Sequence, residues 1–445
     1  MKITIVGAGR VGIHLAKYFA DEHQDVFLID NDRAQLSALE SDFNLRTFYG
    51  EPIDFKTLRE ANTEKADIFV AVTADTATNL VICAMAKSMG AKKTIARVDK
   101  YDFLEKTNVG LIRNMGVDHV VYPDYLVALS VISSLEHSWC YGWNDFNDGT
   151  IVMAAITVCD DSPICGSLLK DMYKESRTMH ISALKRGNRT IIPHGEDRIE
   201  PNDILYITTI PEGIGKVKVI TGKEEQPIRK VILMGGSAVA ELTVKLAGKR
   251  FSFVIVDKSL ERCRKIAENC SDVEVIFGDG SEQDVLEEAG LNNCDAFVAL
   301  SDSTEGNILG CLTAIDNGVI RTVAEIEKEQ YIAKAESFGI GAIINKPIIT
   351  ANAIFQIILD SDQSSSKCFA MKDAEVAKME IREGSSLTKQ PVKELKLPKE
   401  LTFAGLIRKG MGEIVTGNTI FEPGDSVIVF CLNGSLDKVE KLFKK

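Results

Sequence analysis

The feature that most constrains how this chain can fold is an internal repeat, because the second half echoes the first at an offset of about 222 to 228 residues. The run A-D-I-F-V-A-V-T at residues 66–73 corresponds to C-D-A-F-V-A-L-S at 294–301, and Asn79 corresponds to Asn307. Further correspondences, in the same order, are Gly50 with Gly278, Leu58 to Ala61 with Leu286 to Ala289, and Ser182 to Asp203 (A-L-K-R-G, then I-E-P-N-D) with Gly405 to Asp425 (G-L-I-R-K-G, then F-E-P-G-D). The sequence therefore predicts a duplicated unit of about 220 residues with two parts each, in the order A-B-A′-B′.

The A parts are predicted to be α/β domains, each with a Rossmann-like, doubly wound parallel sheet. The first opens with the β-branched run Ile3-Thr4-Ile5-Val6 and continues through glycines into a helical pattern. Further buried-type strands are expected at 26–29, 68–72 and 94–98, with helical stretches between them. Alternating strands and helices are typical of a parallel sheet covered on both faces.

The B parts have short alternating strands on either side of the polar turn Glu200-Pro201-Asn202-Asp203, which predicts a small α+β lobe. A charged segment that ends at Pro227 is typical of a linker between the two halves. The expected domains are Rossmann-like domain 1 at 1–123, lobe 1 at 140–222, Rossmann-like domain 2 at 229–348 and lobe 2 at 366–445.

A glycine motif for nucleotide binding follows the first strand. It is G-x-G-x-x-G, formed by Gly7, Ala8, Gly9, Arg10, Val11 and Gly12, and the acidic Asp30 ends the next strand. In this context Gly7 allows a tight turn, Gly9 lets the backbone approach a pyrophosphate, and Gly12 permits close helix packing. An acid at Asp30 suits ribose hydroxyls and repels a 2′-phosphate, so NAD(H) or an adenine nucleotide is favoured over NADP. The alternative is a glycine-rich turn that only packs.

Two further strand ends supply candidate ligand contacts. Thr73 and Ala74 follow a strand at its carboxyl end, where open α/β sheets bind ligands. They are candidates for contact with ribose or nicotinamide, and the alternative is an ordinary turn. Arg97 ends the next predicted strand, where its guanidinium suits phosphate, although a surface salt bridge would explain it equally well.

The second half keeps only part of this pattern. Gly235 corresponds to Gly7, but Ser237 replaces Gly9, Ala240 replaces Gly12 and Glu325 replaces Arg97. A Cβ at Ser237 crowds the pyrophosphate approach, and a glutamate repels phosphate instead of binding it. Two acids, Asp257 and Asp279, still follow the predicted strands. A weakened nucleotide site is therefore one expectation for this half, and an empty one is the other.

Composition excludes several classes of protein. The 445 residues carry a net charge of −12 with a pI near 5.2, which argues against general binding of nucleic acid. The apolar stretches Tyr125 to Leu135 and Ile151 to Val158 are too short to span a membrane. Ten scattered cysteines without a C-x-x-C pair are expected to be reduced and mostly buried. No histidine or lysine has the setting of a general acid or base, and no metal site is expected.

These residues together resemble two tandem regulator-of-potassium-conductance units, as in the TrkA-type peripheral subunits of Trk potassium-uptake systems. The resemblance covers essentially the whole chain and rests on I-V-G-A-G-R-V-G, Asp30, the A-D-I-F-V-A-V-T run and the E-P-N-D and E-P-G-D turns. It implies a non-enzymatic, cytoplasmic ring, a homo-oligomer on the inner face of a potassium-translocating membrane subunit. The bound nucleotide, NAD(H) or ATP/ADP, would gate that subunit.

The resemblance also implies roles for individual residues. Gly7 to Val11 would hold the diphosphate, Asp30 the adenosine ribose, Thr73 and Ala74 the middle of the cleft, and Arg97 the phosphates. Glu51 stands after Gly50 where the family usually has Asp. The corresponding places in the second unit are Gly235, Gly236, Ser237, Ala238, Val239, Asp257, Asp279 and Ser301.

Two other functions share these motifs. One is an NAD-dependent oxidoreductase with duplicated Rossmann domains, which would need a catalytic His or Lys in the cleft. The other is a nucleotide sensor for a different partner. Within the favoured function, the apolar stretch Tyr125 to Leu135 is a candidate subunit contact, which Val131→Glu would test, and its alternative is internal core.

Overall fold

A computed structural model describes residues 1–21, 23–40, 45–172, 178–187, 189–359, 365–370, 374–395, 397–432 and 442–443. Its strands are β1 (Lys2–Val6), β2 (Asp25–Asp30), β3 (Arg46–Tyr49), β4 (Ile68–Ala71), β5 (Lys93–Arg97), β6 (His119–Val121), β7 (Gly142–Phe146), β8 (Ile151–Thr157), β9 (Met179–Arg186), β10 (Arg189–Ile191), β11 (Ile204–Thr209), β12 (Lys230–Met234), β13 (Ser252–Asp257), β14 (Glu274–Phe277), β15 (Ala296–Ala299), β16 (Arg321–Glu325), β17 (Ala342–Ile344), β18 (Ser365–Ala370), β19 (Ala374–Glu380), β20 (Leu401–Arg408), β21 (Met411–Ile414) and β22 (Ser426–Leu432). Its helices are α1 (Arg10–Asp21), α2 (Arg33–Glu40), α3 (Phe55–Glu60), α4 (Thr76–Met89), α5 (Lys106–Asn114), α6 (Pro123–Glu136), α7 (Leu169–Met172), α8 (Ile214–Thr221), α9 (Ala238–Ala247), α10 (Leu260–Asn269), α11 (Gln283–Glu288), α12 (Thr304–Asp316), α13 (Ile332–Ser337) and α14 (Lys346–Leu359).

The chain forms two compact units. Unit 1 comprises Met1–Val127 with Asn345–Ser361, and unit 2 comprises Ala128–Ile344 with Asp362–Lys445. No helix in the described ranges is both long enough and apolar enough to cross a lipid bilayer.

Unit 1 contains a six-stranded parallel sheet in the order β3-β2-β1-β4-β5-β6. Residues of the central strand such as Ile3 and Ile5 have no exposed surface, as expected for a parallel sheet covered on both faces. The doubly wound order predicted from alternating strands and helices is confirmed.

A helix from far along the chain completes the core of unit 1. On α14, the Phe355 ring lies 3.9 Å from that of Tyr18 and 4.6 Å from that of Phe19, between ring centroids. Both partners are on α1, and Ile354 of α14 is also fully buried in this cluster. The apolar face of α1 is therefore covered by a segment that is more than 320 residues distant in sequence.

Unit 2 contains a second parallel sheet in the matching order β14-β13-β12-β15-β16-β17. The strand registers repeat as well: Met234 pairs with Val256 and Ala299, just as Val6 pairs with Ile29 and Ala71 in unit 1. Two five-stranded sheets, β10-β9-β11-β8-β7 and β18-β19-β22-β20-β21, follow the two parallel sheets, and the described pairings within them are antiparallel. The duplicated α/β architecture with small α+β lobes is thus confirmed.

The polar turns of the lobes are held by a buried carboxylate. In lobe 1, Asp203 accepts hydrogen bonds from Arg186 Nε at 2.8 Å and Nη2 at 2.7 Å. In lobe 2, Asp425 accepts them from Arg408 Nε at 2.8 Å and Nη2 at 2.6 Å. The arginine and the E-P-x-D turn that recur in both halves of the sequence therefore form an Arg–Asp pair, and this pair closes the turn in each lobe.

Burial divides the stretch that was expected to contact another subunit. The stretch Tyr125 to Leu135 lies within α6, as its helical pattern indicates, but Val131 has no exposed surface and Leu135 is only 2% exposed. Val131 and Leu135 therefore belong to the internal core, whereas Leu129 of the same stretch is 40% exposed, so a subunit contact through the exposed side of α6 stays a prediction.

The cysteines are described except for the Cys368 side chain, which lies outside the described residues. The described cysteines are free thiols, and most are buried. Within the described ranges, no group of three or more His, Cys, Asp or Glu side chains is arranged to hold a metal ion.

Candidate functional site

The predicted site residues of the first half come together at the carboxyl edge of the parallel sheet in unit 1. The glycine loop follows β1, Asp30 ends β2, Thr73 follows β4 and Arg97 ends β5. Since β2 and β4 flank β1 on opposite sides, chain connections diverge there and leave a crevice above the glycine loop.

Two glycines of the motif are required by the fold alone. Gly7 has φ +107°, and a Cβ there would lie 3.0 Å from the Thr73 amide nitrogen. A Cβ on Gly12 would lie 1.8 Å from the carbonyl oxygen of Gly7, a distance at which atoms overlap. Neither glycine therefore distinguishes a binding loop from a packing turn.

Gly9 differs, because the fold gives no reason for a glycine at this position. A Cβ there would have no atom within 4 Å, and its φ lies outside the left-handed region. The Ile13 amide donates to the Gly9 carbonyl at 2.9 Å, so Gly9 is the N-cap of α1. A serine or aspartate would cap this helix better by bonding its first-turn amides. The glycine instead leaves the positive end of the helix accessible to an anion.

Asp30 is positioned by the same loop. Its Oδ2 accepts from the Ala8 amide, and its Oδ1 accepts from the Asp32 amide at 2.7 Å. A carboxylate has about four acceptor positions, so two amide donors leave room for ribose hydroxyls. Glu51, which is exposed, accepts a hydrogen bond from the Asn31 side chain at 3.3 Å.

Asn79 positions two of the predicted residues, although the sequence indicated it only as part of the repeat. It is fully buried, and its Oδ1 accepts from the Thr73 amide at 3.0 Å and the Thr73 hydroxyl at 2.7 Å. Its Nδ2 donates to the carbonyls of Thr73 at 3.1 Å and Arg97 at 2.9 Å. One side chain thus ties the ends of β4 and β5 together at the crevice.

The remaining residues differ in exposure. Ala8 and Val11 are buried, whereas Arg10 and Ala74 are exposed. Arg97 is half-buried, and within the described ranges its guanidinium makes no hydrogen bond or ion pair that would account for it. The surface salt bridge offered as its alternative therefore has no partner in the described part of the chain.

Unit 2 has a corresponding crevice at the carboxyl edge of its own parallel sheet. We call the crevice of unit 1 the first cleft and that of unit 2 the second cleft, and the same backbone features build both. Gly235 has φ +106°, and Asp257 accepts from the amides of Gly236 at 2.6 Å and Ser259 at 2.7 Å. Asn307 repeats every bond of Asn79: it accepts from the Ser301 amide and hydroxyl and donates to the carbonyls of Ser301 and Glu325. The backbone of the second cleft is therefore built in the same way as that of the first.

Its side chains fill the framework differently. Ser237 caps α9 by accepting from the Ala240 amide at 3.4 Å, so the position of Gly9 is used for the helix. The side chain of Glu325 is buried at the end of β16. Asp279, in an exposed loop, accepts from the hydroxyl of Ser281 at 2.7 Å and its amide at 2.9 Å, which lowers the pKa of Asp279. Ala238 is exposed and Val239 is buried.

Comparison with known proteins identifies the family. The TrkA-N domain matches residues 3–123 and 231–346, and the TrkA-C domain matches 153–222 and 376–444. The chain belongs to the TrkA family. Both domains occur twice, in the alternating order that the repeat predicts.

Several curated TrkA relatives align over the whole chain. The Trk system potassium uptake protein TrkA of Azorhizobium caulinodans is 27% identical over 454 residues, covering 100% of this chain and 99% of that protein. The TrkA homolog of Archaeoglobus fulgidus is 26% identical over 446 residues and is covered completely.

Solved structures share the fold of this TrkA-family chain. The RCK domain of GsuK superimposes with a TM-score of 0.62 at 16% identity, covering 100% of this chain and 95% of that one. The GsuK channel bound to NAD gives the same TM-score and covers 79% of the channel chain. The structure of GsuK bound to ADP gives 0.51 at 14% identity, covering 81% of this chain.

Proposed function

We propose that this TrkA-family protein is a cytoplasmic regulatory subunit that binds NAD(H) or ATP/ADP in its first cleft and thereby gates a membrane potassium-uptake protein. The relatives that align along the full chain are named potassium uptake proteins. Structural neighbours include a channel bound to NAD and the same channel bound to ADP. In this proposal the subunit acts as a homo-oligomer, docks on the inner face of the membrane and catalyses no reaction.

The observation that carries nucleotide binding is the open position at Gly9. Packing explains the other two glycines of the motif, but a Cβ on Gly9 would meet nothing within 4 Å. The fold does not require a glycine at this N-cap position. A glycine there is instead expected where a phosphate approaches the backbone at the start of a helix. The residues present therefore fit a dinucleotide or an adenine nucleotide.

Each residue has a defined task in this arrangement. The start of α1 stabilises the negative charge of the diphosphate through its aligned peptide dipoles. Asp30 accepts from ribose hydroxyls with the positions that its two amide donors leave free. Arg97, half-buried without an acidic partner in the described ranges, provides a charge for phosphate. Asn79 fixes Thr73 and Arg97 relative to each other.

Gating follows from differences in binding between conformations. A ligand shifts an equilibrium between two states only to the extent that it binds one of them more tightly. NADH and NAD, or ATP and ADP, must therefore differ in affinity for the two states of the subunit that the membrane partner distinguishes.

Calorimetric titration of NADH, NAD, ATP and ADP into wild type and Gly9→Asp tests this site. The open space at Gly9 means that the aspartate fits without a clash, but its charge faces the diphosphate. Like charges in contact cost several kcal/mol, so we expect about one site per chain in wild type and at least ~100-fold weaker binding in the variant.

Gly110→Asp is the matched control, because Gly110 is an exposed glycine of α5 with no atom within 4 Å of its Cβ position. It should bind as wild type does. Equal binding by Gly9→Asp and wild type would overturn the proposed site. Potassium uptake by vesicles that contain the membrane partner should respond to nucleotide with wild type and Gly110→Asp, but not with Gly9→Asp.

A further inference from the structure

An ion-pair bridge crosses the second cleft, and the residues at two of the three corresponding positions of the first cleft are uncharged. Arg262 lies in the first turn of α10. Its Nη1 is 3.6 Å from Asp257 Oδ2, and its Nη2 donates to Asp302 Oδ2 at 3.1 Å. A single guanidinium therefore joins two acidic side chains.

The two acids lie on opposite sides of the glycine loop. Asp257 ends β13, and Asp302 comes shortly after β15, which are the two strands that flank β12. A group that reaches from one to the other must pass over the loop that follows β12. The crevice at this edge is the place where an open α/β sheet binds its ligand.

The repeat shows which parts of the bridge are specific to the second half. Asp257 corresponds to Asp30, so the acid that would bind ribose is common to both clefts. The other two positions differ, because Arg262 corresponds to Gln35 and Asp302 corresponds to Ala74. Both changes are needed to form the bridge, and neither glutamine nor alanine carries a charge. The first cleft therefore cannot form it.

We propose that Arg262 is an internal occupant of the second cleft, bound to the carboxylate that a nucleotide ribose would otherwise use. The proposal rests on the proposed function of the first cleft, to which it adds an asymmetry. The chain takes up nucleotide in the first cleft, and the second cleft admits it only when Arg262 leaves Asp257.

The exposures of the three side chains indicate how firmly the bridge is held. The Asp257 side chain is only 4% exposed, whereas those of Arg262 and Asp302 are 46% and 81% exposed. An exposed ion pair contributes little because water and salt screen it. Because the bridge is weak, it can open without unfolding the domain. It weakens ligand binding only by competing with the ligand for Asp257.

The test isolates the second cleft. Gly9→Asp is present in every chain to block the first cleft, and Ser237→Gly removes the serine that crowds the pyrophosphate approach, at the small cost of replacing a cap by glycine. Glu325 is kept in every chain, so it affects both sides of the comparison equally. In this background we compare the intact bridge with Arg262→Gln/Asp302→Ala, which restores the residues of the first cleft without changing the net charge. ADP and NADH are titrated into both by calorimetry, and thermal melts check that both are folded.

We expect the bridge-free chain to bind about one nucleotide per chain about 3- to 5-fold more tightly than the chain with the bridge, because an exposed ion pair competes only weakly. Equal affinities would overturn the proposal, as would no binding by either. Failure of the proposed function would appear elsewhere, as absence of binding by the first cleft of wild type.

The reciprocal change keeps the proposal testable if the multiple variant does not fold. Gln35→Arg/Ala74→Asp places the bridge in the otherwise wild-type first cleft, on two exposed positions. We expect nucleotide affinity there to fall several-fold, with an unchanged melting temperature. Unchanged affinity would overturn the proposal.

Discussion

The two clefts share one backbone plan but differ in what occupies it. Each has a glycine with positive φ after the first strand and an aspartate that accepts a hydrogen bond from an amide of the glycine loop. Each also has a buried asparagine that joins the ends of two strands by hydrogen bonds. In the first cleft the N-cap of the helix is the bare Gly9, and in the second it is Ser237, which bonds its own helix. The comparison teaches that most of the motif builds the fold, and that ligand binding depends on the few positions the fold leaves unrestricted.

The largest difference between the clefts should appear when the third glycine position is exchanged. Gly12→Ala places a methyl group 1.8 Å from the Gly7 carbonyl oxygen, so we expect a loss of about 3 kcal/mol or more in unfolding free energy. Ala240→Gly should cost only about 1 kcal/mol, since it merely removes a methyl group from a helix. Denaturant titration measures both. Gly9→Ser is the control, and a similar loss in it would contradict this explanation.

A somewhat smaller effect is expected where the halves agree, in the Arg–Asp pairs of the lobes. Burial opposes ionisation of Asp425, but the Arg408 guanidinium and the Glu422 amide outweigh it and lower its pKa. Asp425→Asn leaves Arg408 without this partner and should lower the free energy of unfolding by about 2 to 3 kcal/mol. The loss is smaller than for a fully buried ion pair because Arg408 is partly exposed. Asp203→Asn should cost a similar amount.

The pH dependence of this pair has a definite sign. A lowered pKa in the folded state means that the ion pair stabilises the fold above the unfolded-state value of about 3.9. The stabilisation is lost as the pH falls through the folded-state pKa. The difference in melting temperature between wild type and Asp425→Asn should therefore be full at neutral pH and shrink below about pH 4. A constant difference down to pH 2 would contradict this account.

The asparagines should separate stability from binding. Asn79→Ala and Asn307→Ala each leave buried backbone groups without partners, so each should cost about 2 kcal/mol. Only Asn79→Ala should also weaken nucleotide binding, because Asn79 fixes Thr73 and Arg97. Hydrogen exchange of β4 and β15 amides locates each loss, and calorimetry measures binding. Equal effects of both variants on binding would remove the proposed asymmetry.

The smallest effect on stability is expected for Arg97→Ala. Within the described ranges its guanidinium has no partner, so the melting temperature should stay within error of wild type. Nucleotide affinity should fall about tenfold through loss of a charged contact to phosphate. If the melting temperature drops while affinity holds, Arg97 is a structural residue.

Much of this architecture was accessible from the sequence because it rests on local patterns. Apolar runs followed by glycines and helical spacing predicted both parallel sheets, and the repeat predicted that they would match. The roles of Asn79 and Arg262 were not accessible, because they depend on which strand ends become neighbours. An arginine in the first turn of a helix is ordinarily a solvated charge, and nothing local indicates that Arg262 reaches across to Asp302.

The interpretation of Tyr125 to Leu135 shows a second limit of sequence reasoning. An apolar helix face demands cover, but the sequence does not say whether another subunit or the same chain provides it. The same limit applies to α14, whose apolar face gave no sign that it packs on α1 in unit 1.

The position of α14 has a consequence for how the protein is made. Its Phe355 and Ile354 complete the core beside α1, so unit 1 cannot finish folding when its own first 127 residues have been synthesised. Translation at roughly 5–20 residues per second leaves the apolar face of α1 uncovered for roughly ten seconds or more before α14 is synthesised. During that interval the nascent chain exposes the apolar face of α1 to solvent, and unit 1 is completed only after Lys346–Leu359 has been synthesised.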